Sequence, residues 1–266
     1  MRWQEMSSVQ VDALDRDGTI VILPLGSVEQ HGRHMPLGTD TILAEAVALA
    51  AAERLNGRAA VLPPPWYGLS DHHMRFAGSV TLSARTMLAL VEDIAASVVT
   101  HGFSRLLVVN GHGGNNGIID VLAGQLGHRF YGQARIACVT YFQLAKAAIA
   151  ALRRSRPGGM GHAGEFETSM MLHLRPELVA LEEAQVMYPD TGSEYLTTDL
   201  LGSSRARAHH DFADLSPSGT LGDPSLADGE RGGAFHEAVV KELVLFIEDF
   251  GRWPIHTSAP ASPAAK

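Results

Sequence analysis

The sequence predicts an α/β fold with a mostly parallel central sheet flanked by helices. Three observations carry that prediction. Short apolar runs alternate with segments of helical spacing, the pattern of β-α-β units. The run Arg105-Leu-Leu-Val-Val-Asn110 is almost continuously apolar, as a strand covered on both faces is. Two apolar runs end in glycine-bearing loops rich in polar residues, and open α/β sheets hold ligands at such strand ends.

Taken in order, the β-prone run from Thr19 to Leu25 is the first strand. Thr41 to Leu55 is alanine-rich with helical spacing, and Asn56-Gly57 closes it. Ala59 to Leu62 is a second strand, stopped by Pro63-Pro64-Pro65. Ser83 caps a helix running to Thr100, which ends at His101-Gly102. The Arg105–Asn110 strand follows, then a helix from Asn115 to Gly127 and a strand from Ala134 to Tyr141. The next helix is expected to begin near His162 and stop before Pro176. Residues 187–232 are rich in Gly, Ser, Asp and Pro, and a loop of that length covers an active site or a subunit contact. Gly233 to Phe250 is a last amphipathic helix.

With 266 residues, one large domain is expected over 1–254, followed by a disordered tail over 255–266 that is nearly all Ala, Pro and Ser from Ser258 on. The net charge of −8 and the absence of a long basic tract argue against nucleic-acid binding. Cys138 is the only cysteine, so no internal disulfide forms, and a reducing compartment is expected. The first residues lack an apolar signal-peptide core, and no apolar run is long enough to span a membrane, so a cytoplasmic location is expected.

Three segments carry the chemistry. In Gly26-Ser-Val-Glu-Gln-His-Gly-Arg-His-Met-Pro-Leu-Gly-Thr-Asp40, Glu29 and His31 are two apart and project to one side of an extended backbone. Carboxylate and imidazole together suit zinc, manganese or iron(II). In Asn110-Gly-His-Gly-Gly-Asn-Asn116, His112 opens on the same sheet edge if the two strands are parallel neighbours. Gly113 and Gly114 permit close approach of a substrate there. Asn116 stands where a dinucleotide fingerprint needs its third glycine, which argues against a nucleotide. In Gly161-His-Ala-Gly-Glu-Phe-Glu-Thr-Ser169, one of Glu165 and Glu167 is expected to complete a metal shell while His162 faces the substrate. Five ligands exceed what one catalytic zinc takes and suit two divalent ions bridged by Asp40. His73 and Trp66 are expected to line the substrate pocket, and His34 to lie at the surface.

These segments, with Tyr67-Gly-Leu-Ser-Asp-His-His-Met-Arg-Phe-Ala-Gly78, Gly222-Asp-Pro224 and Glu230-Arg-Gly232, resemble the creatininase (creatinine amidohydrolase) family from about residue 5 to 250. The resemblance implies a three-layer α/β/α sandwich, two divalent metal ions per chain, hydrolysis of amide C–N bonds and a homohexamer. It places metal ligands on Glu29, His31, Asp40, His112 and Glu167, and the proton-carrying histidine on His162, with Glu165 kept beside it in the catalytic group. Creatinine-cleaving members resemble Gly-His-Tyr-Glu-Asn in the second segment, where this chain has Gly114 in place of the glutamate. They also surround the ring with tryptophans, and none lies between the second and third segments here. The expected substrate is therefore a small cyclic or formamide-type amide other than creatinine. A peptidase or deformylase and a non-catalytic metal-binding scaffold are the rival readings.

Overall fold

The computed structural model describes residues 1–255. Apart from Ile255, the expected tail lies outside the described residues. A short helix α1 (Ser8–Asp12) precedes the first strand β1 (Ile20–Leu25), and then come α2 (Thr39–Glu53), β2 (Ala59–Val61) and α3 (Ala84–Thr100). They are followed by β3 (Arg105–Asn110), α4 (Asn116–Arg129), β4 (Arg135–Thr140), and the short helices α5 (Tyr141–Leu144) and α6 (Lys146–Leu152). The C-terminal part contributes β5 (Met160–His162), α7 (Glu165–Leu174), α8 (Phe212–Leu215), β6 (Leu221–Gly222) and α9 (Gly229–Phe250).

The strands β2-β1-β3-β4 form one sheet whose neighbours all pair in parallel. Alternate side chains enter opposite cores, as the strand period of two requires. Ile20, Ile22, Leu107 and Val109 pack with Leu43 and Val47 of α2, Phe166 of α7 and Val239 of α9. Val21, Leu23, Leu106 and Val108 pack with Met87 and Val91 of α3 and with Ile119 and Leu122 of α4. The apolar runs are continuous because both faces are covered, which makes three layers. Among the described residues, no helix is long and apolar enough to cross a membrane.

Register places the functional loops side by side. Leu25 pairs with Asn110, and Gly111 N–H donates to the Leu25 carbonyl at 2.8 Å. The first turn of α2 presses directly on both strand ends. A Cβ at Gly26 would lie 2.4 Å from the Thr41 nitrogen, and one at Gly111 would lie 2.9 Å from the Asp40 carbonyl. Only glycine permits that approach.

Two element expectations need correction. The helix expected from near His162 begins at Glu165, because Met160–His162 is a strand paired antiparallel with Leu221–Gly222. Ala163 then adopts φ 52°, turning the chain into α7. Likewise α9 starts at Gly229, with the Asp228 side chain accepting from Arg231 N–H as its cap. The long segment before it is closed at its base, where Met187 and Gly222 exchange two backbone hydrogen bonds of 2.9 and 2.7 Å. We call residues 187–222 the strap.

Candidate metal centre

Glu29, His31, Asp40, His112 and Glu167 are all buried, and the fold brings all five together. Glu29 and His31 come from the loop after β1, Asp40 from the first turn of α2, His112 from the loop after β3, and Glu167 from the first turn of α7. Asp40 sits between two imidazoles: Oδ1 is 3.1 Å from His31 Nε2, and Oδ2 is 2.8 Å from His112 Nδ1. His112 Nε2 lies 3.2 Å from Glu29 Oε2. Ligand atoms of His31, Asp40 and Glu167 lie within 4.8 Å of one another, as do those of Glu29, His72 and His112.

A second set of residues orients these groups. His31 Nδ1 faces the Glu29 carbonyl at 3.2 Å, and since a carbonyl only accepts, that nitrogen carries a proton and Nε2 is turned toward Asp40. Ser70 Oγ donates to Glu29 Oε2 at 2.6 Å. Gln30 Oε1 accepts from Gly32 N–H, which fixes its amide so that Nε2 donates to His73 Nδ1 at 2.8 Å. His73 Nε2 in turn lies 3.1 Å from Glu29 Oε1. In the second loop, Asn110 donates to the His112 carbonyl, and Asn115 donates both to the Gly26 carbonyl and to Asn110 Oδ1. Ala163 N–H donates to Glu167 Oε2 at 2.6 Å from its left-handed backbone. Sequence reasoning assigned no role to Gln30, Ser70, Asn110 or Asn115; their positions flanking the ligands were the available signal.

Burial opposes charge throughout the cluster, and the pairing overcomes it in most groups. Burial lowers His31, but Asp40, with Glu167 and Glu29 adding to it, outweighs that and raises the imidazole to about 10. Burial likewise lowers His112, while Glu29 and Asp40 bring it up to about 9. Burial would raise Asp40, yet His31 and His112 hold it far below the carboxylate range. Glu29 is also lowered, as His112 and His73 overcome its burial. Glu167 is pushed up to about 7 by burial, with Asp40 adding to the rise and His31 opposing it. His162 is driven well below its ordinary value by burial and by the neighbouring His31 and His73.

A pH dependence follows. His31 and His112 bind protons more tightly folded than unfolded, where histidine titrates near ~6.5. Their contribution to stability is full below that pH and is lost as pH rises through about 9 and about 10. In chelator, the melting temperature should therefore fall steadily on going from pH 6.5 toward 10. Zinc displaces those protons, so zinc-loaded protein should show a smaller fall. A chelator profile that stays flat across this range would remove the argument.

The donor set fits divalent ions. Asp40 Oδ2 is buried without hydrogen-bond geometry to any partner, despite its proximity to His112. A buried carboxylate oxygen left this way is costly unless a cation meets it. Glu29, His112 and Asp40 could hold one ion, and His31, Glu167 and the other Asp40 oxygen a second.

The cluster opens into a cavity of about 690 Å³ walled by the strap. Gly113, Gly114, His73 and His162 line it. His73 is nevertheless fully buried, its nitrogens facing Gln30 and Glu29 and its ring lying against His72, His162 and Phe212. Three expectations fail. The Glu165 carboxylate is turned away, accepting from the backbone N–H groups of Arg154 and Ser155, and it does not line the cavity. Trp66 is 45% exposed and outside the cavity, its ring lying over Gly38 at the start of α2, because the three prolines carry the chain past the sheet edge. His34 is buried rather than at the surface, its Nε2 3.0 Å from Thr168 Oγ1 of α7.

The family profile described as "Creatininase: Creatinine amidohydrolase" matches residues 4–247. The chain belongs to the creatininase family. This creatininase-family hydrolase is 33% identical over 240 residues to the mycofactocin precursor peptide peptidase of Mycobacterium ulcerans (strain Agy99), covering 88% of this chain and 85% of that protein. Among solved structures it resembles a mutant creatininase of Zn-Zn type, with a TM-score of 0.78, 29% identity, and coverage of 94% of this chain and 98% of that one. It also resembles "Creatininase Mn", with a TM-score of 0.79, the same identity and the same coverage. Creatininase-family structures of zinc and manganese forms thus share the fold that gathers these carboxylates and imidazoles.

Proposed function

We propose that the protein is a two-metal amidohydrolase that cleaves an amide C–N bond, acting in the cytoplasm as a homohexamer. The observation that carries the proposal is Asp40, buried with each carboxylate oxygen facing a different imidazole. One protein group placed between two sets of ligands suits two ions close together. Divalent ions bound there supply Lewis acidity toward the amide carbonyl and make water a stronger acid. The chain's own residues do the rest. His162 Nε2 donates to the Gln30 carbonyl at 2.7 Å, so Nδ1 is unprotonated; it points toward Glu29, 3.7 Å from Oε1. A neutral imidazole held in that tautomer accepts a proton at Nδ1 and returns it to the leaving nitrogen. The strap supplies much of the cavity wall. Exposed Trp66, Tyr67 and Val80 form apolar surface available for subunit contact.

The leading substrate class is a small cyclic or formamide-type amide, and Gly114 and the lack of a tryptophan between the second and third segments argue against creatinine itself. A second reading, a peptide bond near a chain terminus, is favoured by two observations. Ligand cavities run from about 300 to 1,000 Å³, and one of about 690 Å³ has room for several residues' worth of side chain. Among the described residues lining it, Arg207 is the only arginine or lysine, a partner for a substrate carboxylate. The 33% identical relative is named as a peptide peptidase.

The test is an assay of zinc- or manganese-loaded protein against creatinine, formamides, cyclic amides and short peptides, read by mass spectrometry. Cleavage of a C–N bond in at least one class, abolished by chelator and restored by the ion, is expected, with creatinine inert. A metal-loaded protein that hydrolyses no amide in the panel would favour the scaffold reading.

A further inference from the structure

We propose that His72 is an additional metal ligand, placing a second imidazole beside Glu29 and His112. This inference rests on the two-metal reading above. His72 lies in the short 3-10 turn Asp71–His73, so two adjacent histidines approach Glu29 in different ways. His73 is held by Gln30 and meets Glu29 Oε1. His72 also lines the cavity but is only partly buried, and it joins the cluster beside His112. Its ligand nitrogen, one from His112 and an oxygen of Glu29 all lie within 4.8 Å of one another. Its ring is stacked on His112 with centroids 5.8 Å apart and planes 9° apart, and Phe212 of α8 closes its other side at 4.9 Å.

Gly114 is what lets His72 in. A Cβ there would lie 2.8 Å from His72 Cε1 and 2.4 Å from His112 Nε2. Any side chain at this position would displace the His72 ring or the His112 ring. This chain has no side chain at that position, and an imidazole from a different loop fills the space. The consequence is a more nitrogen-rich set of donors on the Glu29 side than on the His31 side. Imidazole favours zinc and iron, whereas carboxylate and water favour manganese. The two ion positions therefore differ in preference, with the Glu29 position biased toward zinc.

The test uses full-length metal-free protein with His72→Gln and His72→Ala, titrated with zinc, manganese and cobalt(II) against a chelating indicator. Two variants guard against a local folding defect, and their circular dichroism and metal-free melting should match the parent. The parent should take up two ions. Each variant should bind one of the two zinc ions at least about 10-fold more weakly, the scale on which metal sites answer to altered surroundings. Manganese affinity should change less, and the visible spectrum of cobalt(II) at the affected position should shift. A parent that binds two ions and folded variants with the same zinc affinities and cobalt spectrum would overturn the assignment while leaving the two-metal reading intact. A parent that binds no ion would sink both.

Discussion

Asp40→Ala should remove both ions and turnover together. Its two oxygens face His31 and His112, one on each side of the cluster, so its loss would take one carboxylate oxygen from each proposed ion position. Changes merely outside the ligand shell cost about 10–100-fold in metal affinity, and loss of a shared ligand should exceed that for both ions. The variant also leaves His31 and His112 buried beside each other without the anion that sustains their charge, so the metal-free protein should melt at lower temperature. Elemental analysis of the purified variant and the parent reads the first effect, and thermal scans in chelator the second. An Asp40→Ala protein that keeps two ions would refute the bridging role.

His162→Ala should behave in the opposite way, keeping its ions and losing rate. Its Nδ1 faces the cluster from a neutral ring whose other nitrogen is committed to the Gln30 carbonyl. A positioned proton carrier contributes about 10²–10⁴-fold to rate. The loss should therefore appear in kcat by that factor, with metal content unchanged. The geometry supplies its own control: one of its ring nitrogens lies within 4.8 Å of ligand atoms of Glu29 and His31, close enough to share an ion with them. If the alanine variant lost an ion, His162 would be a ligand and not a proton carrier.

The strands and the loops that follow them were legible because buried parallel strands leave unbroken apolar runs, and because ligands cluster with glycine at their ends. Adjacent parallel pairing of β1 and β3 then brought Glu29, His31 and His112 to one edge. What could not be read was orientation. Glu165 and Glu167 are two apart on a helix of 3.6 residues per turn, so they point about 200° apart and only one can face the metals. Which one depends on where α7 packs, and the backbone amides of Arg154 and Ser155 take Glu165. His72 and His73 pose the same problem in a single turn, where the sequence shows a pair and tertiary packing divides their tasks. The strand β5 was invisible because it is three residues long and its partner lies some sixty residues further along the chain. His34 looked like an ordinary loop residue, but α7 packs over it.

The closed base of the strap has an evolutionary consequence. Met187 and Gly222 are joined by two backbone hydrogen bonds, so the residues between them make an excursion that starts and ends at nearly the same point, anchored on the way by buried Leu201 and Leu221. Lengthening such an excursion costs little, because closure entropy grows only with the logarithm of length, about 0.6 kcal/mol per doubling. None of Glu29, His31, Asp40, His112 and Glu167 lies within it. Insertions, deletions and rewriting of its exposed middle, around residues 203–209, can remodel the substrate wall while the buried ends of the strap, which pair with β5 and meet Gln30, stay in place. A lineage built this way can exchange one amide for another while inheriting the same hydrolytic chemistry.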